Sequence, residues 1–128
     1  MLSSKSKGAQ FEEHALHYLQ QKGLTLVQRN FHCRLGEIDL IMLQQKTLCF
    51  IEVKYRSNDR FGGAAFSIPL SKQRKINDTA LIFLGQHKEF QHHNYRFDAL
   101  LIKPGTTSGE NTVDWIENAF GSQGTSFY

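Results

Sequence analysis

Asp39, Glu52 and Lys54 have the types and spacing of a phosphodiester-hydrolysing site. Glu37 to Leu43 and Leu48 to Tyr55 are rich in strand-forming residues, and the polar stretch Gln44 to Thr47 between them is short enough for a hairpin turn. Side chains alternate along a strand, so Glu37, Asp39 and Ile41 share one face, and Ile38, Leu40 and Met42 share the other. On the return strand Phe50, Glu52 and Lys54 lie together, opposite Cys49, Ile51 and Val53. A turn centred between Gln45 and Lys46 pairs residues whose numbers sum to 91, which sets Asp39 against Glu52 and Glu37 against Lys54.

Directly opposed residues have Cβ atoms about 5 Å apart, so two carboxylates placed this way repel unless a cation lies between them. Hard oxygen ligands on a rigid hairpin suit Mg²⁺ or Mn²⁺, which acidifies a bound water and offsets charge on phosphate oxygens. Lys54 would hold the attacking water or steady that charge. A plainer arrangement, a solvated hairpin face with a Glu37–Lys54 ion pair, leaves the like charges of Asp39 and Glu52 unexplained.

These strands need neighbours to position them. Phe11, Ala15, Tyr18 and Leu19 recur at helical spacing within residues 10–21, ahead of Gly23 as a stop. Residues 24–29 read as a short strand. Residues 56–70, with Gly62, Gly63 and Pro69, read as a loop expected to be mobile. Ser71 is positioned to cap a second helix carrying Ile76, Ala80, Phe83 and Leu84 and ending at Gly85. Tyr95 to Ile102 and Thr112 to Ile116 read as further strands. The order α, β, β, β, α, β with a short last strand fits helices layered on one sheet, an α/β or α+β fold. The chain has the length of a single domain over residues 1–128, with 1–8 and 121–128 expected to be flexible ends.

Apolar residues make up 40% of the chain and charged ones 21%, enough for a packed core. No run approaches the roughly 20 apolar residues that span a bilayer, and residues 1–8 lack a signal peptide's apolar stretch, so a cytoplasmic location without membrane contact is expected. Cys33 and Cys49 are too few for a disulfide framework, and neither they nor His92 and His93 have zinc-finger spacing. The net charge of +3 is unevenly spread: residues 1–75 hold twelve Lys and Arg against six acids, and residues 76–128 hold three against six. That asymmetry fits a surface facing a polyanion.

The run Gly36-Glu37-Ile38-Asp39-Leu40-Ile41, followed by Phe50-Ile51-Glu52-Val53-Lys54, resembles the signature of the YraN-like family of uncharacterised bacterial proteins. Gly8, Glu12, Ala15, Asn30, Arg56, Lys72, Asp98 and Phe120 also fall where that family's pattern has them, so the likeness covers nearly the whole chain. The family is in turn similar to the PD-(D/E)XK nucleases, with Ile38 where the superfamily name has Pro. The resemblance implies a restriction-endonuclease-like fold, a central mixed β-sheet flanked by helices in the order αβββαβ. It further implies Asp39, Glu52 and the carbonyl of Val53 as metal ligands, Lys54 beside the water, and Glu12 acting directly or through water. On its own residues, Glu12 fits equally well at the core edge or as an acid facing the helix dipole.

Nucleic-acid contacts are expected from Arg56, Lys72, Arg74 and Lys75, where basic residues meet the start of the second helix and its free N–H groups favour anions. Phe61 and Phe66 would anchor the loop or stack on bases. Asp98 has no assigned role, and a buried pair with Arg96 is not expected. The expectation is a Mg²⁺- or Mn²⁺-dependent endonuclease acting on DNA in preference to RNA, branched DNA included. The alternative is a nucleic-acid-binding accessory protein of the same fold. Branched-DNA resolvases work as dimers, although no heptad or long apolar stripe marks a homodimer interface in this chain.

Overall fold

The computed structural model describes residues 4–55, 68–103, 105 and 111–121. Residues 56–67 of the expected loop, with Arg56, Phe61 and Phe66, and residues 1–3 and 122–128 of the expected flexible ends lie outside the described residues, whereas 4–8 belong to the first helix. The elements are α1 (Ser4–Gln21), β1 (Thr25–Cys33), β2 (Gly36–Gln44), β3 (Thr47–Tyr55), α2 (Leu70–Gln86), β4 (Asn94–Lys103) and β5 (Thr112–Phe120). The strands form one sheet in chain order, antiparallel except for the parallel pair β3 and β4. This is the expected mixed α/β architecture with β5 added at the edge.

Each face of the sheet is covered by one helix. Ile76, Ala80 and Phe83 of α2 pack on Ile41, Leu48, Phe50, Phe97 and Ala99. Ala15, Leu16 and Leu19 of α1 pack on Leu40, Met42, Cys49, Ile51 and Leu100. Both helices bury the stripe that their apolar spacing predicts. The strands between them are apolar on both faces near the hairpin turn, as a sheet sandwiched by helices requires. Among the described residues, no helix is long and apolar enough to cross a membrane. Cys33 and Cys49 are free thiols.

The β2–β3 register is the expected one, with Ile41 opposite Phe50 and Gln44 opposite Thr47 around a two-residue turn in which Gln45 takes a left-handed φ of 54°. Other boundaries differ. The strand expected at residues 24–29 runs on to Cys33, past a register shift between Leu26 and Gln28 that breaks the alternation used to delimit it. Ser71 does not cap α2, which begins at Leu70 after Pro69 with no side-chain cap. β5 continues to Phe120 through Asn118, whose left-handed φ of 55° no local pattern announces.

Candidate active site

The β2–β3 ladder stops at Leu40 and Ile51. One position further, Oδ2 of Asp39 accepts a hydrogen bond from the backbone N–H of Val53 at 2.8 Å. A carboxylate therefore stands where a strand carbonyl would continue the ladder. On the other side, β1 passes Asp39 at Asn30, between the pairs Arg29–Leu40 and Phe31–Ile38, with a left-handed φ of 51°. The alternation of β2 slips at this point. Ile38 is buried with Ile41 beneath α2, whereas Leu40 and Met42 face α1. This corrects the expected common face of Ile38 and Leu40: turning the Asp39 carboxylate toward β3 rotates the strand, and the regular two-residue period does not survive that rotation.

Asp39 has little to offset its charge. Burial, and next the charge of Glu52, push its carboxyl up to about 7, against the opposing pull of the Val53 N–H. Glu12 and Glu37 add smaller effects of the same sign. Glu12 is itself raised, chiefly by burial, although a hydrogen bond with Asn30 and the charge of Arg29 favour its ionised form. The four acids feel one another across the end of the sheet.

Glu52 is only 6% exposed, and two ammonium groups converge on its Oε2: Lys72 from α2, and Lys54 at 3.4 Å. Burial and the neighbouring Lys72 lower the pKa of Lys54. Burial also opposes the charge of Lys72, but its contacts with Glu52 and Lys54 hold its pKa above the usual value. The expected Glu37–Lys54 pair is replaced by Glu52–Lys54, because the register that would oppose Glu37 and Lys54 ends at Leu40 and Ile51.

Asp39 and Glu52 open onto a cavity of about 410 Å³ whose other walls include Glu37, Ser71, Lys72 and Lys75. Lys72, Lys75 and Ile76 share a helix face at i, i+3 and i+4, so both lysines look into the cavity. Arg74 belongs to another face and is exposed away from it, unlike its expected companions. Gly36 lets the start of β2 approach α2 closely: a Cβ there would lie 2.9 Å from Oγ1 of Thr79 and 3.4 Å from Cβ and O of Lys75. Glu12 lines a second cavity, of about 350 Å³, with Gly8, Ala9 and Asn30. Glu37 lines both cavities.

Asn30 was marked in the sequence only as a position of the family pattern and Ser71 only as a helix cap; tertiary placement brings both to these cavities. Asp98 has the opposite history. It is fully buried and accepts hydrogen bonds from Nε of Arg96 at 3.0 and 3.2 Å, Nε1 of Trp115 at 3.0 Å and the N–H of Asn118 at 2.9 Å. The buried pair with Arg96 that strand spacing argued against is present, since β5 supplies the further donors needed to satisfy the carboxylate. Asp98 does not line either of these cavities.

Residues 11–102 match the uncharacterised protein family UPF0102, a span holding β2, β3 and α2 with the whole Asp39–Glu52 corner. The chain is 50% identical to a UPF0102 protein of Psychromonas ingrahamii, covering 92% of each chain. It is 49% identical to one from Nitrosomonas europaea over 94% of this chain and 98% of the relative, and 44% identical to one from Alcanivorax borkumensis over 94% and 96%. The motif strands, the sheet that carries them and these near full-length likenesses agree: the chain belongs to the UPF0102 family, the YraN-like proteins.

Proposed function

We propose that this protein is a Mg²⁺- or Mn²⁺-dependent endonuclease of the cytoplasm, hydrolysing phosphodiester bonds in nucleic acid, with DNA, including branched DNA, as the favoured substrate. The observation that carries this reading is the pairing of Asp39 and Glu52 at the broken end of the β2–β3 ladder, where burial and mutual repulsion raise Asp39 to about 7. A scaffold has no need to set two acids against each other in a half-buried corner, and a divalent cation relieves both penalties.

The donor set fits such a cation. Asp39 and Glu52 supply hard oxygens, and the carbonyl of Val53, whose N–H already holds Asp39, is the third ligand that the family resemblance suggests. Among the described residues no group of three His, Cys, Asp or Glu side chains forms a metal cage. Mg²⁺ does not require one, because it keeps several waters and commonly binds through one or two carboxylates and substrate phosphate. A bound cation of this kind supplies Lewis acidity toward a phosphate oxygen and an acidified water. Lys54 reaches the site from the strand of Glu52 and would orient the water or meet charge building on the phosphate. Lys75 and the uncapped N–H groups at the start of α2 would receive the flanking phosphate. Glu12, beyond Glu37, would act through water.

A second reading, a nucleic-acid-binding accessory protein without cleavage activity, is favoured by one observation: both ammonium groups already neutralise Glu52. One experiment separates the two. Purified protein is incubated with linear, single-stranded and four-way-junction DNA and with RNA, with and without Mn²⁺. The nuclease reading expects Mn²⁺-dependent cleavage, reduced on the order of a hundredfold or more in Asp39→Ala and Glu52→Ala. It is lost if no substrate is cut, or if those variants cut as the wild type does.

A further inference from the structure

Lys72 lies on α2, eighteen residues beyond Lys54 in the chain, yet both ammonium groups meet at Oε2 of Glu52. Two such groups on one carboxylate oxygen repel each other, and a single lysine would suffice to pair a single acid. Together they bring two positive charges to the Asp39–Glu52 corner, the charge of one divalent ion. Lys54 stands two residues along the strand of Glu52. Lys72 instead reaches down from the wall of the cavity, and 39% of its side chain is exposed.

We propose that Lys72 is a built-in competitor for the divalent cation: its ammonium holds Glu52 until the cation arrives, and cation entry releases it into the cavity to grip substrate phosphate. The inference rests on the nuclease reading for the identity of the site and deepens it by making cation and phosphate binding mutually reinforcing. Glu52 cannot offer Oε2 fully to Lys72 and to a cation at once. Lys75, one helical turn further on, lines the same cavity without pairing with Glu52, so it contributes field but not competition. The linkage is reciprocal: a phosphate that draws Lys72 away vacates Glu52 for the cation.

Isothermal titration with Mn²⁺ alone tests the competition, using full-length wild type and the variants Lys72→Met, Lys72→Arg, Lys75→Met and Asp39→Ala, each checked for folding by circular dichroism. Lys72→Met is expected to bind Mn²⁺ about tenfold more tightly, equivalent to about 1.4 kcal/mol. Lys75→Met and Lys72→Arg are expected to stay within about threefold of wild type. In a second measurement, anisotropy of a labelled DNA duplex in EDTA and in Ca²⁺, the cation should strengthen DNA binding by wild type at least about threefold more than by Lys72→Met. If Asp39→Ala binds Mn²⁺ as wild type does, the metal site is absent and both the nuclease reading and this inference fall. If wild type binds through Asp39 but Lys72→Met is no tighter, or no tighter than Lys75→Met, only the competition is overturned. Equal cation-driven gains in DNA affinity would overturn the coupling.

Discussion

Asp39 and Asp98 occupy similar backbone settings in opposite halves of the sheet. Each carboxylate accepts a neighbouring strand's N–H where a ladder is interrupted, from Val53 for Asp39 and from Asn118 for Asp98. A left-handed asparagine lies beside each break, Asn30 on β1 and Asn118 on β5. Their surroundings then diverge. Asp98 is sealed from solvent among a guanidinium, an indole N–H and a backbone N–H, so its charge is met on every side. Asp39 has one backbone donor and faces Glu52, Glu12 and Glu37. The same local device builds a structural anchor when donors surround it and a poised, unsatisfied site when acids do.

Substitutions at the two aspartates should therefore have opposite signs. The largest effect is expected for Asp98→Asn, which takes the fully buried carboxylate from Arg96 and leaves it only the exposed Glu117, and should lower stability by about 3 kcal/mol in urea denaturation. Full stability in that variant would place the anchor elsewhere.

Asp39→Asn should stabilise. The folded protein holds a proton on Asp39 up to about pH 7, whereas an unfolded aspartate has released it by about pH 4, at its ordinary value of 3.8. Between those limits the folded state binds more protons, so wild-type stability falls as pH rises through the window. Asn carries no such charge and can still accept the Val53 N–H. In chelator, its advantage should be small at pH 4, grow through pH 7 and level off near 1–3 kcal/mol at pH 8. Thermal melts at these values check it, and a constant offset across the range would remove Asp39 as the titrating group.

Trp115→Phe is the mildest probe of the contrast. It removes one donor from Asp98 and leaves the others, so a loss of about 1.5 kcal/mol is expected by denaturation, with the proposed Mn²⁺-dependent cleavage unchanged. A loss of that cleavage at constant stability would link the anchor to the Asp39–Glu52 corner.

The hairpin was legible in the sequence because its information is local: a two-residue turn and alternating side chains determine who faces whom. That logic placed Asp39 near Glu52 and identified the apolar helix stripes. It failed where backbone geometry departs from the regular period. Ile38 could not be assigned beneath α2 without knowing that β2 rotates at Asp39, and Lys54 could not be matched to Glu52 without knowing where the ladder ends. Long-range partners were equally silent. Asp98 meets Trp115 and Asn118 from 17 and 20 residues away, and Lys72 meets Glu52 across the gap between a helix and the sheet. Helical period alone could have dropped Arg74 from the face shared by Lys72 and Lys75.

Gly36 makes core packing a tuning parameter of the proposed chemistry. Its bare Cα lets β2 press against Lys75 and Thr79, so the seating depth of α2 is read directly from this contact. Lys72 rides one turn toward the start of the same helix, and the helix acts as a stiff lever with its fulcrum at residue 36. A single methyl there works as a wedge, and reaction rates can drop about a hundredfold for a misplacement of roughly 1 Å. A residue with no side chain and no charge thus sets the gauge to which the charged corner is built.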